Sequence, residues 1–247
     1  MVVTVDPQLA DAASFIFEGT VLSTGQSTVS ILSGRSSLAV ARFERGFRIN
    51  PLLGDLRTRP ITVGIMPGSA VREGERLVFF ANSWVHAEGV AVMSLAQAPV
   101  NERTQAELEA ALKALPALHL ERRVASAQLV VQGQVESVRP AELRQPLSEH
   151  MATWMRAHVA VSSVIKGNAD SKSLSEVFFP ENTDSRWQEW PKLKRGQRGV
   201  FLFRAPRRGP VPAGGLVLPD PLDVQPVSSA KAVRALASAV QSEGSSR

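Results

Sequence analysis

The sequence of 247 residues contains no cysteine and no tyrosine, and it has no long apolar run. Without cysteine there is no disulfide framework, no thiolate metal site and no cysteine nucleophile. A membrane-spanning helix needs roughly 20 consecutive apolar residues, so membrane insertion is not expected. Residues 1–7 form neither a basic nor an apolar leader segment, so no signal peptide is predicted and a cytoplasmic location is expected.

Motifs for catalysis and cofactor binding are also missing. The four histidines are His86, His119, His150 and His158. No two of them have the spacing of a zinc site, and no glycine-rich phosphate loop or nucleophile elbow is present. Ser148, Glu149 and His150 are residue types that hydrolases use, but three adjacent residues cannot converge on one substrate atom. The sequence therefore predicts a protein without enzyme activity, cofactor or metal.

What the sequence does contain is an internal repeat. Residues 13–21 and 127–135 both read as a small residue, a variable one, three apolar residues, an acid or amide, Gly, a polar residue and Val. Three further blocks match in the same order: 38–46 with 159–167, 74–80 with 196–202, and 97–100 with 225–227. Four ordered matches indicate two copies of one domain, 1–122 and 123–247.

Each copy is predicted to consist mainly of short β-strands. Its apolar runs are β-branched or aromatic, and Gly, Pro, Ser and Asn separate them at the spacing of a small sandwich or barrel. The predicted strands are 15–21, 38–43, 61–65, 77–80 and 90–95 in the first copy, and 129–138, 158–165, 177–179, 199–203 and 216–218 in the second. Gly19 and Gly133 interrupt the first strand of each copy, where a glycine commonly marks a bulge.

A helix is predicted after each set of strands. Residues 102–115 have apolar side chains at helical spacing, and Pro116 is expected to end that helix. Residues 229–240 repeat the pattern, and the Ser/Gly-rich tail 241–247 is expected to be disordered. The predicted fold class is therefore all-β with accessory helices: two tandem five-stranded barrels, each followed by one α-helix.

This succession of blocks resembles the OB-fold. The resemblance rests on an opening strand with a central glycine, a middle strand that ends in Arg45-Gly46 or Lys166-Gly167, and a Gly-Glu/Gln-Arg turn before an apolar strand. The nearest variant is the netrin-like barrel of the tissue inhibitors of metalloproteinases. Those inhibitors use an N-terminal cysteine as zinc ligand, which this chain lacks, so the resemblance implies no protease inhibition. The whole chain is also similar to a bacterial family, a similarity that implies no activity.

The net charge of +5 belongs to the second copy. Residues 1–122 carry 11 basic and 12 acidic side chains, whereas residues 123–247 carry 17 and 11. Residues 186–208 alone contain eight basic side chains and one acid. Such a segment can bind an anionic partner, or it can be a solvated loop that keeps the protein in solution.

Tryptophans lie beside this basic segment. All four tryptophans, Trp84, Trp154, Trp187 and Trp190, fall in predicted loops or at strand starts. Basic groups beside exposed aromatics are how OB-folds hold single-stranded nucleic acid, although the absence of tyrosine argues against that use. The indoles could instead cover an open barrel end or the interface between the copies.

From the sequence as a whole we expect a non-enzymatic protein-binding or assembly module, with single-stranded nucleic-acid binding as the alternative function. The candidate surface is Arg186, Trp187, Trp190, Lys192, Lys194, Arg195 and Arg198.

Overall fold

The computed structural model describes residues 3–35, 37–50, 53–57, 59–66, 68–86, 89–144, 151–169, 173–182, 184–206 and 210–244. The chain divides into two compact units, Met1–Pro116 and Ala117–Arg247. This division falls six residues before the boundary of the sequence repeat. Strands hold more of the described residues than helices do.

The first unit is a closed five-stranded barrel. A short helix, α1 (Pro7–Ala12), leads into the barrel, and Asp6 caps its N-terminus. The strands are β1 (Phe15–Thr24), β2 (Leu38–Arg48), β3 (Pro60–Gly64), β4 (Arg76–His86) and β5 (Val90–Pro99). Their order around the barrel is β1-β2-β3-β5-β4, and only β3 and β5 run parallel. All strands predicted for this half are present, whereas Trp84 lies inside β4 and not in a loop.

Phenylalanines fill this barrel because alternate side chains of each strand point inward. Phe17 is fully buried, and its ring centroid lies 5.0 Å from that of Phe79 and 5.8 Å from that of Phe43. Burial of such a ring contributes about 1.5–3 kcal/mol. Phenylalanines of the predicted strands therefore lie in the core of the barrel.

The helix that follows the barrel is longer than predicted. α2 (Glu102–Ser126) runs through Pro116, which was expected to end it. Proline removes one helical hydrogen bond at a cost of about 3 kcal/mol. Beyond Pro116 the helix carries Leu120 and the fully buried Val124 into an apolar cluster with Val130 and Leu202. This burial offsets the cost of the proline, so the prediction of an end at Pro116 was wrong.

The second unit is an open, curled six-stranded sheet, whereas a closed five-stranded barrel was predicted. Its strands are β6 (Leu129–Pro140), β7 (Trp154–Lys166), β8 (Ser173–Pro180), β9 (Arg198–Phe203), β10 (Leu216–Val217) and β11 (Val224–Gln225). They lie in the order β10-β8-β7-β6-β9-β11. The final helix, α3 (Ala230–Gly244), extends into the tail that was expected to be disordered. None of the described helices is long and apolar enough to span a bilayer.

Two short strands of the second unit, β10 and β11, have the pairings that the single strand β5 has in the first. β10 is parallel to β8 as β5 is to β3, and β11 is antiparallel to β9 as β5 is to β4. The two short strands thus divide between them the pairings that β5 makes in the first unit. Pro219 and Pro221 stand between them and lack the N–H groups that a ladder needs. Within the described residues, one bridge between Arg204 and Val217 joins β10 to the residue that follows β9.

The first two strands of each unit pair in the same irregular way. Register shifts occur at three places in β1–β2 and at the three corresponding places in β6–β7. Gly19 and Gly133 lie at the middle shift. A Cβ on Gly19 would be 2.7 Å from the carbonyl oxygen of Arg42, and one on Gly133 would clash with that of Ala160. Both bulges therefore require glycine, as the sequence indicated.

The pairing also corrects one of the sequence matches. Gly19 is paired with Phe43 and Gly133 with Val161, so Phe43 corresponds to Val161. The sequence comparison had matched Phe43 with Val164, three residues further along. In the third block, the register agrees with the sequence match, because Glu18 pairs with Val78 and Gln132 with Val200.

Candidate functional site

Three tryptophans of the second unit form one aromatic cluster. Trp154 begins β7 and is 5% exposed, while Trp187 and Trp190 are half-buried in the loop between β8 and β9. The ring centroids of Trp187 and Trp190 are 5.6 Å apart, and those of Trp154 lie 5.8 and 6.0 Å from them. All three pairs meet edge to face, an arrangement worth about 0.5–1.5 kcal/mol per pair beyond area burial.

The loop that holds these indoles is built on Asp184. Its side chain accepts a hydrogen bond from the backbone N–H of Arg186 at 2.9 Å, and its carbonyl accepts from the N–H groups of Trp187 and Gln188. A further turn joins the N–H of Trp190 to the carbonyl of Trp187 at 3.1 Å. Aspartate favours such turns because its short side chain can accept from the backbone just ahead of it. Consecutive turns therefore bring the two indoles together.

Lys192 holds this loop against β8. Its ammonium group donates hydrogen bonds to the carbonyl oxygens of Pro180 and Trp187, each at 2.7 Å. Burial lowers the pKa of Lys192, and the carboxylate of Asp184 opposes that effect. The sequence placed Lys192 on a binding surface, but its ammonium group is engaged by the loop itself.

Three of the exposed predicted cations lie in this loop or in the turn that follows it. The guanidinium of Arg186 lies over the ring of Trp187, 4.8 Å from its centroid, in a cation–π contact. Lys194 and Arg195 lie exposed in the turn before β9. Arg207 and Arg208, which the sequence counted in the same basic segment, lie outside the described residues. The described surface thus presents a guanidinium stacked on an indole, and two further cations on the adjoining turn.

A cavity of about 940 Å³ adjoins the tryptophan cluster. Trp154 and Trp190 form its aromatic side, and Val211, Val217 and Pro219 add apolar surface. Its polar side carries the guanidinium of Arg204, which donates to the hydroxyl of Ser126 at 2.5 Å. A cavity of this size, with apolar residues on one side and Arg123, Ser126, Gln128 and Arg204 among its lining, can accept a side chain or a small molecule.

An ion pair fixes the polar side of this cavity. Arg123 donates from Nε to Asp223 Oδ1 at 2.8 Å and from Nη2 to Asp223 Oδ2. Asp223 is fully buried, and burial raises its pKa, while the charge of Arg123 lowers it. The sequence gave no signal for this pair, because its two members are 100 residues apart.

Arg198 lies away from the loop, at the start of β9. Its Nε donates to the side-chain oxygen of Gln134, directly across the ladder, at 3.1 Å. It lines a hollow of about 580 Å³ together with Gln132, Gly133, Gln134, Ala160, Val161, Ser162 and Val227. The predicted surface residues therefore do not form one site, because Arg198 belongs to a separate hollow.

Of the remaining candidates for chemistry, the described His158 lies beside one carboxylate. Nδ1 of His158 lies 3.0 Å from the carboxylate of Glu136. Ser148, Glu149 and His150 lie outside the described residues. Within the described part of the chain, no three histidine or acidic side chains are close enough together to hold a metal ion. Comparison of the sequence with protein-family models and with curated proteins found no match.

Proposed function

We propose that the protein is a non-enzymatic binding module that acts through protein–protein contacts of its second unit. The observation that carries this proposal is the position of Trp190, which is half-buried in the tryptophan cluster and also lines the cavity of about 940 Å³. Tryptophan and arginine contribute most to binding energy at protein interfaces, often beside a pocket that takes an anchoring side chain. The indole of Trp190 and the cavity beside it provide that combination.

The exposed cations support a partner with acidic side chains around its anchor. Arg186, Lys194 and Arg195 extend from the loop and from the turn after it, and none of them forms an ion pair with a described carboxylate. Charges at the rim of an interface increase the rate of association with an oppositely charged partner. The partner we propose therefore carries an apolar side chain next to acidic ones.

Single-stranded nucleic acid is the alternative partner, and the same cations favour it. Base stacking needs an open ring face. Trp187 has the guanidinium of Arg186 over its ring, and the indoles meet edge to face. Lys192, one of the expected phosphate contacts, donates to two backbone carbonyls instead. These contacts leave less surface for stacked bases than for a protein side chain, so the protein partner is the stronger proposal.

We also propose that the two units are tandem copies of one OB-like barrel. The shared register shifts support this origin, and so do equivalent backbone hydrogen bonds. The N–H of Val21 donates to the carbonyl of Glu75 at 2.9 Å, and that of Val135 donates to the carbonyl of Gln197 at 2.9 Å. In such a duplicated protein, the second copy can acquire a binding surface while the first retains a closed barrel.

Affinity capture of partners by the full-length protein tests the binding proposal. The test variant carries Lys194→Glu and Arg195→Glu, which reverse two exposed charges and leave the tryptophan cluster intact. The control variant carries Lys231→Glu, on the exposed side of α3. We expect a protein captured by the native chain and by the control to be lost from the double variant. The affinity of the captured protein should then be measured with the purified native chain and with the purified Trp190→Ala variant.

Fluorescence anisotropy with labelled oligo(dT) and oligo(U) at two salt concentrations tests the alternative. Phosphate contacts release counterions, so nucleic-acid affinity falls steeply as salt rises. Salt-sensitive binding that is lost in the Lys194→Glu, Arg195→Glu variant would overturn the protein-partner proposal. We expect no such binding.

A further inference from the structure

The outer face of the first barrel carries an arginine that is neutralised within the chain. Arg76 begins β4 opposite Thr20. Its guanidinium forms an ion pair with the buried carboxylate of Glu18, and its Nε donates to Glu44 Oε2 at 2.8 Å. The hydroxyl of Thr20 donates to the other oxygen of Glu44 at 2.5 Å. The hydrogen bond from Thr20, and then those from Arg42 and Arg76, lower the pKa of Glu44. Arg76 is therefore held by two carboxylates of its own unit.

The same position in the second unit keeps the arginine and lacks both acids. Arg198 begins β9 opposite Gln134, as Arg76 is opposite Thr20. By the same pairing, Gln132 takes the place of Glu18. Ser162, the extra residue at the shared bulge, takes that of Glu44. Among the described residues, Arg198 has no carboxylate partner, and it donates only to the neutral side chain of Gln134.

We infer that the hollow around Arg198 is a binding site for a carboxylate side chain of a protein partner. The first unit shows the chemistry, because there a carboxylate lies against the guanidinium and accepts from a neighbouring hydroxyl. In the hollow, the guanidinium of Arg198 and the side-chain amides of Gln132 and Gln134 can donate to such a carboxylate. The Ser162 hydroxyl already donates to the carbonyl oxygen of Gln132 at 2.9 Å. Hydrogen bonds between a guanidinium and a carboxylate are shorter and stronger than neutral ones. An incoming carboxylate replaces the acids that this position lacks.

The lining of the hollow favours a protein carboxylate over a nucleic-acid phosphate. Arg198 is the one cation among the described residues that line it, whereas nucleic-acid surfaces bind successive phosphates with several cations. Val227, which is 42% exposed, adds an apolar residue to the same lining. One cation beside apolar surface suits an acidic side chain on a folded protein. This site is separate from the tryptophan cluster and rests on the proposed function only for the class of partner.

NMR titration of the full-length, ¹⁵N-labelled protein with a hexaglutamate peptide tests the inference. The signals to follow are the Nε–H of Arg198 and the side-chain amides of Gln132 and Gln134. The Nε–H of Arg76 is a control in the same sample, because its guanidinium already binds Glu18 and Glu44. We expect a saturable shift of the Arg198 and glutamine signals, with no shift at Arg76.

Two variants complete the test. Arg198→Gln should abolish the shifts of both glutamine amides. The double variant Gln132→Glu, Ser162→Glu gives the second unit the acids that the first unit has. Arg198 is retained, but the new carboxylates occupy its guanidinium. The peptide should therefore no longer shift the Arg198 signal. Either variant retaining the native titration would overturn the inference. An unresponsive Arg198 signal, or oligo(dT) shifting it at lower concentration than the peptide, would also overturn it.

The titration of Arg198 and the capture experiment test two different surfaces, so either proposal can be refuted while the other stands. The Trp190→Ala variant should leave the Arg198 titration unchanged, since that indole does not line the hollow. If partner capture is insensitive to the charges at Lys194 and Arg195 but Arg198 still titrates, the tryptophan surface is refuted and the carboxylate site stands. If capture depends on those charges and the peptide does not shift the Arg198 signal, the carboxylate site is refuted and the tryptophan surface stands.

Discussion

Replacing Arg123 with glutamine tests how much the second unit depends on the ion pair between the end of α2 and the turn before β11. The guanidinium makes two hydrogen bonds to Asp223 and lies 3.4 Å from a carboxylate oxygen of Asp220. The Asp223 side chain has no exposed surface, while that of Arg123 is 19% exposed. Arg123→Gln therefore leaves a buried carboxylate without its counter-ion.

The expected loss of stability is about 3 kcal/mol, the lower end of the roughly 3–5 kcal/mol for breaking a buried pair on one side. Two features keep the expected loss at the lower end of this range. The guanidinium of Arg123 is partly exposed, and the Asp223 carboxylate still accepts a hydrogen bond from the N–H of Asp220 at 3.1 Å. Arg123→Gln combined with Asp223→Asn removes both charges and should recover much of the loss.

Urea unfolding followed by tryptophan fluorescence measures this effect. In a Trp84→Phe background the three remaining tryptophans all lie in the second unit, so the signal reports that unit alone. The matched control is Arg156→Gln, which breaks an exposed pair with Glu176 in the same unit and should leave the midpoint nearly unchanged. A midpoint shift for Arg123→Gln no larger than that of the control would refute the reasoning.

The loss should also depend on pH with a definite sign. Burial raises the pKa of Asp223 above its ordinary value of 3.8, and removal of Arg123 leaves that effect less opposed. A carboxyl with a raised pKa binds protons preferentially in the folded chain, so stability increases as pH falls between the folded and unfolded pKa values. The deficit of Arg123→Gln should therefore narrow on acidification through that window. A deficit that widened instead would contradict the assignment.

Two further changes test the bulge and the loop. Gly133→Ala should destabilise the second unit by about 1–3 kcal/mol, because its Cβ would collide with the carbonyl of Ala160 and the strands must separate; calorimetric melting that showed an unchanged transition would argue against the bulge. Lys192→Ala should cost about 1–3 kcal/mol, since two carbonyls lose their donor. Lys194→Ala, on the exposed turn, should leave the urea midpoint unchanged, and equal effects of the two lysines would contradict the structural role of Lys192.

The strands were predictable because each one carries its own signal. Runs of β-branched or aromatic residues and the turn residues between them are local properties, and the structure has a strand at every predicted place. The ends of elements were less predictable. Pro116 is a strong local signal for the end of a helix, but burial of Val124 further along outweighs it.

Whether the sheet of the second unit closes depends on pairings between distant residues, which no local sequence pattern contains. Residues 216–218 carry a strand signal, and the structure has β10 there, but only two residues pair. Pro219 and Pro221 are visible in the sequence as breakers. Their effect on closure becomes evident only when the pairings of β10 and β11 are compared with those of β5.

The candidate site was predictable only where its residues are neighbours in sequence. Trp187 and Trp190 lie three residues apart and were named together from the sequence, whereas Trp154 joins them from another strand. The acceptors of Lys192 are backbone carbonyls, which a sequence does not distinguish. The missing acids around Arg198 emerge only from the strand register, because the sequence match placed the second strand three residues off.

The prolines that interrupt the closing strand also affect how the second unit meets other polypeptides. A closed barrel offers no free strand edge, whereas an open sheet has unpaired N–H and C=O groups that can bind a strand from another molecule. Here the edges are strands of only two residues, and Pro219 and Pro221 prevent either from lengthening toward the other. Short, proline-limited edges are a common protection against edge-to-edge aggregation. The segment that leaves the barrel open thus also limits the self-association that an open sheet invites.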